Sequence, residues 1–178
     1  MEKCVLIVPG LRGSGPGHWQ TLWQAKHRSY RRVLQHDWLA PRLEQWRAAL
    51  DAALAAAGPG AFVAAHGFGC LATLACLARR NTDAAGVLLV APRHPGEFGF
   101  VPQALSLPAI VVASRTDPCL SIDEARRLAR RLDARLVDAG DAGHIDGPWP
   151  QGERLLARLF AMAQAREREL ALALALSG

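Results

Sequence analysis

Short, uninterrupted apolar runs recur along the chain, and each gives way to a glycine, proline or small polar residue before a helix-spaced segment begins. Cys4-Val5-Leu6-Ile7-Val8, Ala61 to Ala65, Ala85 to Val90 and Ile110 to Ala113 carry no alternating polar positions. Strands of that kind are covered on both faces, as in the centre of a parallel sheet. Tyr30 to Leu34 and Arg135 to Val137 are shorter and more polar and suit sheet edges. Between them the apolar spacing changes to that of helices. A helix is predicted from near His18 with Trp19, Leu22 and Trp23 on one face. A second is opened by Pro41, buries Leu43, Trp46, Leu50 and Leu54, and ends at Gly58-Pro59-Gly60. A third begins near Cys70, packs Leu71, Leu74, Ala75 and Ala78 inward, and sets Arg79-Arg80 against the negative end of its dipole. Ser121 and Glu124 form a capping box for a fourth, with Ala125, Leu128, Ala129 and Leu132 inward. The last starts at about Gly152.

Strand and helix in alternation, with short connections, predict an α/β fold: a mostly parallel sheet with helices on both faces. The chain reads as one domain over residues 1–168, followed by a short tail, 169–178. Pro92 to Leu107, rich in proline and glycine, is the longest irregular stretch and a candidate small lid. No large cap domain is expected.

Composition narrows the partners. A net charge of +5 comes from arginine, since Lys3 and Lys26 are the only lysines. Arg126, Arg127, Arg130 and Arg131 fall on the polar face of a helix, so solvent rather than nucleic acid is their expected surrounding. Cys4, Cys70, Cys76 and Cys119 lack metal-ligand spacing and are expected to be free thiols in a cytoplasmic protein without metal or cofactor. Val8 is followed at once by Pro9-Gly10, which ends the first apolar run too early for a signal peptide. Leu170 to Leu176 is too short to cross a bilayer, so no membrane partner is expected. A small-molecule substrate or ligand remains.

The chemistry gathers where predicted strands end. Ala65-His66-Gly67-Phe68-Gly69 lies between a strand and a helix, the setting of the G-x-S-x-G elbow that presents a nucleophile in α/β-hydrolases. Ala65 and Gly69 have the small size such a turn needs, but its centre is Gly67, which has no side chain. Asp117 follows a later strand and His144 another, completing the order elbow, acid, histidine. In that arrangement Asp117 orients His144 as base, and the N–H groups of Phe68 and Leu11 form the oxyanion hole. Ser14, His18 and His66 are candidate pocket-lining residues. Ser14, Cys70 and Ser114 are the available substitute nucleophiles, none of them on a tight turn aimed at His144. The glycine-rich loop from Gly10 to Gly17 fits neither G-x-G-x-x-G leading into a helix nor the P-loop pattern.

Several blocks resemble a small serine-hydrolase family that includes retinoblastoma-binding protein nine and bacterial YdeN-like proteins. Val8-Pro9-Gly10 with Gly13-Ser14-Gly15-Pro16-Gly17-His18-Trp19-Gln20 and Trp23 resembles its opening. Ala65-His66-Gly67-Phe68-Gly69-Cys70 is similar to its elbow, in which serine stands at the position of Gly67. Thr116-Asp117-Pro118, Gly143-His144-Ile145 and Gly147-Pro148-Trp149-Pro150 resemble its later motifs, with fewer residues between the last two. The resemblance implies an α/β-hydrolase fold without a large cap and a cofactor-free Ser-Asp-His hydrolase of small ester or acyl compounds. With glycine at the elbow, two outcomes are open: weak hydrolysis through a water in the vacated space, or a binding or regulatory protein that keeps the pocket.

Overall fold

A computed structural model describes residues 3–78 and 84–176. The apolar runs form six parallel strands in one sheet: β1 (Val5–Val8), β2 (Tyr30–Arg32), β3 (Ala61–His66), β4 (Ala84–Val90), β5 (Ala109–Ala113) and β6 (Arg135–Asp138). Their spatial order is β2-β1-β3-β4-β5-β6. The two polar strands lie at the edges, where one side lacks a neighbour, and β1, β3 and β5 are buried throughout.

Successive residues of a strand point to opposite faces, which divides the core in two. Leu6, Val8, Val63, Ala65, Leu89 and Val111 face α2 (Leu43–Ala57), α3 (Phe68–Leu77) and α4 (Ile122–Leu132). Val5, Ile7, Ala64, Leu88, Ile110 and Val112 face α1 (Trp19–Lys26) and α5 (Pro150–Leu176). Continuous apolar runs are therefore required: a polar residue at any central position would be buried against one helix layer or the other.

The helices differ from expectation in instructive places. In α1 the buried residues are Trp19, Gln20 and Trp23, and Leu22 is 42% exposed. Gln20 takes the inward place because its amide donates to the carbonyls of Val8 and Ala64, at 3.1 and 2.9 Å. Helix α2 begins at Leu43, so Pro41 precedes it rather than opening its first turn. Helix α3 ends at Leu77, so Ala78 caps it and is exposed, whereas Phe68 to Cys76 are buried on every side. The proposed partnership of Arg79-Arg80 with its dipole lies outside the described residues. The capping box of Ser121 and Glu124 forms at α4, with Ala125, Leu128, Ala129 and Leu132 buried. Helix α5 runs through the apolar stretch to Leu176, leaving Leu170, Leu172, Leu174 and Leu176 exposed. Residues 177 and 178 of the tail lie outside the described residues. Among the described residues no helix is long and apolar enough to cross a membrane. The segment from Pro92 to Leu107 includes a short 3-10 turn, Pro95–Phe98, and rests Phe100, Leu105 and Leu107 on the core.

Candidate active site

The order in which strands are added to the sheet reverses at β1: β2 lies on one side of it and β3 on the other. Loops leaving the carboxyl ends of such a pair diverge and open a crevice. Here they are the loop after Val8 and the turn at Gly67. The resulting cleft has a volume of about 860 Å³ and includes Gly10, Leu11, His18, His66, Gly67, Phe68, Arg93, Cys119 and His144 in its lining.

Gly67 has φ +55° and ψ −121°, a conformation that strains any residue with a side chain. Its N–H donates to the Val90 carbonyl at 3.0 Å, which ties the turn to β4. Gly69 answers a different need. A Cβ there would lie 2.6 Å from the Val8 carbonyl oxygen and also collide with that of Pro9, so only glycine lets α3 start this close to β1. Phe68 is the first residue of α3, and its N–H is one of the first-turn donors that helical bonding leaves free. Phe68 and Leu11 both line the cleft.

Asp117 and His144 meet because the loops after β5 and β6 are stapled together. The Ser114 hydroxyl donates to the Gly140 carbonyl at 3.0 Å and accepts from the Ala142 N–H at 2.9 Å. Thr116 accepts from the Gly143 N–H at 3.0 Å. His144 Nδ1 then lies 3.0 and 3.1 Å from the two Asp117 carboxylate oxygens. The Asp117 side chain is 1% exposed and that of His144 25%, a buried anion beneath an accessible ring. Ile145, next in the chain, has φ +51°, costly for a β-branched residue and held by its burial. On the far side of the ring, Nε2 points to the elbow: a Cβ on Gly67 would lie 3.3 Å from it.

Two further histidines support this one. His66 Nε2–H donates to the His144 carbonyl at 2.9 Å, and burial, aided by His18, lowers its pKa to about 3. His18 caps α1 by accepting from the Gln20 N–H through Nδ1. Burial first, then the charge of Arg32, lowers its pKa to about 4. Both are neutral at pH 7, and the rings of His18 and His144 each stack edge-on against His66.

Of the expected pocket-lining residues, His18 and His66 reach the cleft and Ser14 does not. Ser14 is buried with its hydroxyl donating to Gln20 Oε1 at 2.5 Å. Neither Cys70 nor Ser114 lines the cleft: the Cys70 thiol donates to the Val90 carbonyl, its pKa raised by burial, and Ser114 is spent on the loop staple. Arg93, Cys119 and Asp146, which no motif marks as site residues, also reach the cleft. Of the candidate lid segment, only Arg93 lines it. Cys119 also joins Asp117 and His144 in a trio whose potential ligand atoms lie within 4.8 Å of one another, a grouping invisible in the spacing. Asp117 and His144 already satisfy each other there, and the Arg93 guanidinium stands 3.8 Å from the Cys119 sulfur.

The serine hydrolase family model matches residues 5–158. The chain belongs to the serine hydrolase family. A solved structure of a candidate YdeN-like hydrolase from Pectobacterium atrosepticum is 33% identical, with a TM-score of 0.84 over 92% of each chain. The YdeN gene product of B. subtilis is 22% identical, with a TM-score of 0.74 over 90% of this chain and 100% of that one. A candidate α/β-superfamily hydrolase from Xanthomonas campestris aligns at 18% identity and a TM-score of 0.62, covering 94% and 99% of the two chains. These matches give this serine hydrolase family member the α/β-hydrolase fold without a large cap. No curated protein sequence matches the chain.

Proposed function

We propose that this protein binds small ester or acyl compounds in the cleft over Gly67 and hydrolyses them slowly by direct attack of water, with no covalent intermediate. The observation that carries the reading is the 3.3 Å between His144 Nε2 and the position a Gly67 Cβ would occupy. The base faces the point of attack, and the space a serine side chain would fill is left to solvent. His144, held by Asp117 through Nδ1, takes a proton from water at Nε2. The hydroxide attacks the ester carbon, and the negative charge moves to the carbonyl oxygen, facing the N–H groups of Phe68 and Leu11. Collapse expels the alkoxide, which recovers the proton from His144. In a subtilisin-type triad, loss of the serine costs on the order of a million-fold in kcat, so the expected rate is low.

Steady-state hydrolysis of 4-nitrophenyl acetate tests this. The expected result is turnover without a burst, no labelling by an activated phosphonate, and loss of the enzymatic rate in His144→Ala. If folded His144→Ala matches the unsubstituted protein, hydrolysis has no base here, and a ligand-binding or regulatory role in the same cleft takes its place.

A further inference from the structure

Five buried side-chain polar atoms among the described residues have no partner, and two of them, His18 Nε2 and Arg93 Nε, belong to residues of the cleft wall. A buried donor left unpaired costs roughly 1–3 kcal/mol, so each calls for an acceptor. The tautomer of His18 follows from its contacts. Nδ1 accepts from the Gln20 N–H and the ring is neutral at pH 7, so the proton sits on Nε2, which is a donor.

Arg93 is fixed in place. Its backbone N–H reaches the Gly67 carbonyl at 3.4 Å, anchoring it to the elbow itself. Nη2 donates to Glu97 at 2.7 Å, the guanidinium lies 5.8 Å above the Phe98 ring, and Nη1 reaches towards Cys119. These contacts restrain the planar group and engage only part of its five-donor fork. The charged residues in the cleft lining are Arg12, Arg93 and Asp146. A carboxylate, with its two oxygens, matches an arginine fork better than any neutral acyl chain does.

We propose that the cleft selects esters that carry a carboxylate, such as half-esters of short dicarboxylic acids, with Arg93 binding that carboxylate and His18 Nε2–H supplying a second donor. This rests on the ester-site reading above, but it concerns binding and is tested without turnover. Titrate the folded protein with monomethyl glutarate and, separately, with dimethyl glutarate, following binding by calorimetry or ligand-observed NMR. The monoester should bind at least about ten-fold tighter, equivalent to about 1.4 kcal/mol. Arg93→Gln should remove the preference, and Arg126→Gln, on the exposed face of α4 away from the cleft, should leave it. If Arg93→Gln does not fold, the unsubstituted protein still decides: its preference should collapse in about 1 M salt, where screening reaches about 3 Å. Equal affinity for the two esters, no measurable binding of the monoester at millimolar concentration, a preference that survives Arg93→Gln, or one indifferent to salt overturns the proposal. Failure of the hydrolysis test alone leaves this binding result standing, and the reverse also holds.

Discussion

Placing a hydroxyl at Gly67 is the sharpest test of the proposed site. In Gly67→Ser, the new Cβ meets His144 Nε2 at 3.3 Å, His144 Cε1 at 3.9 Å and the Gly10 Cα at 3.7 Å. The tightest neighbour is the edge of a ring that can yield by a few tenths of an ångström, so the space admits the side chain. Backbone conformation sets the cost. At φ +55° a serine is strained by about 1–3 kcal/mol, which lowers the melting temperature by roughly 2–12 °C for a domain of this size. Typical stabilities of about 5–15 kcal/mol absorb that loss. One bond beyond the Cβ, Oγ can reach hydrogen-bond distance of the same Nε2, about 2.7–3.2 Å. A hundred-fold gain in rate needs only about 2.7 kcal/mol of barrier lowering, far less than an aligned serine supplies in a working triad. Gly67→Ser should therefore exceed the unsubstituted protein at least about a hundred-fold on 4-nitrophenyl acetate. It should also show a burst and react with an activated phosphonate, and adding His144→Ala should abolish all three. A correctly folded serine variant that neither hydrolyses the ester nor takes up the phosphonate would refute the reasoning, because base, oxyanion donors and nucleophile would all be present and inert.

Two other outcomes follow from the same geometry. Gly69→Ala places a methyl group against the backbone oxygens of Val8 and Pro9, which cannot rotate away, and should cost about 3 kcal/mol or more in a denaturant titration. His66 and His18 titrate near 3 and 4 when folded, against about 6.5 when unfolded, so the unfolded chain binds more protons below neutrality. The stability this represents is complete above about pH 6.5 and drains away as pH falls towards 4 and 3. The denaturation midpoint should fall over that window, and His66→Phe, if folded, should flatten the dependence.

The sequence alone carries a good deal of this protein. Its unbroken apolar runs read as strands covered on two faces, and the fold puts alternate residues of those runs into two separate cores. Ser121 with Glu124 announces the start of α4, because capping involves residues three apart and needs no tertiary knowledge. Likewise Ala65, Gly67 and Gly69 mark a tight strand-to-helix turn by their small size, although the structure shows that Gly67 answers to local backbone geometry and Gly69 to the close approach of β1. What the pattern misreads is Gln20, a polar residue buried because two carbonyls of neighbouring strands, Val8 of β1 and Ala64 of β3, converge on it. Nor does any spacing reveal that Ser114 and Thr116 staple the two loops bearing Asp117 and His144, or that Arg93 and Cys119 stand in the same cleft. Periodicity and capping are one-dimensional signals, produced by neighbours a few residues apart. The meeting of Asp117 with His144, 27 residues later, and of His66 with the His144 carbonyl, 78 residues on, depends on strand order and loop path, and only the assembled sheet specifies those.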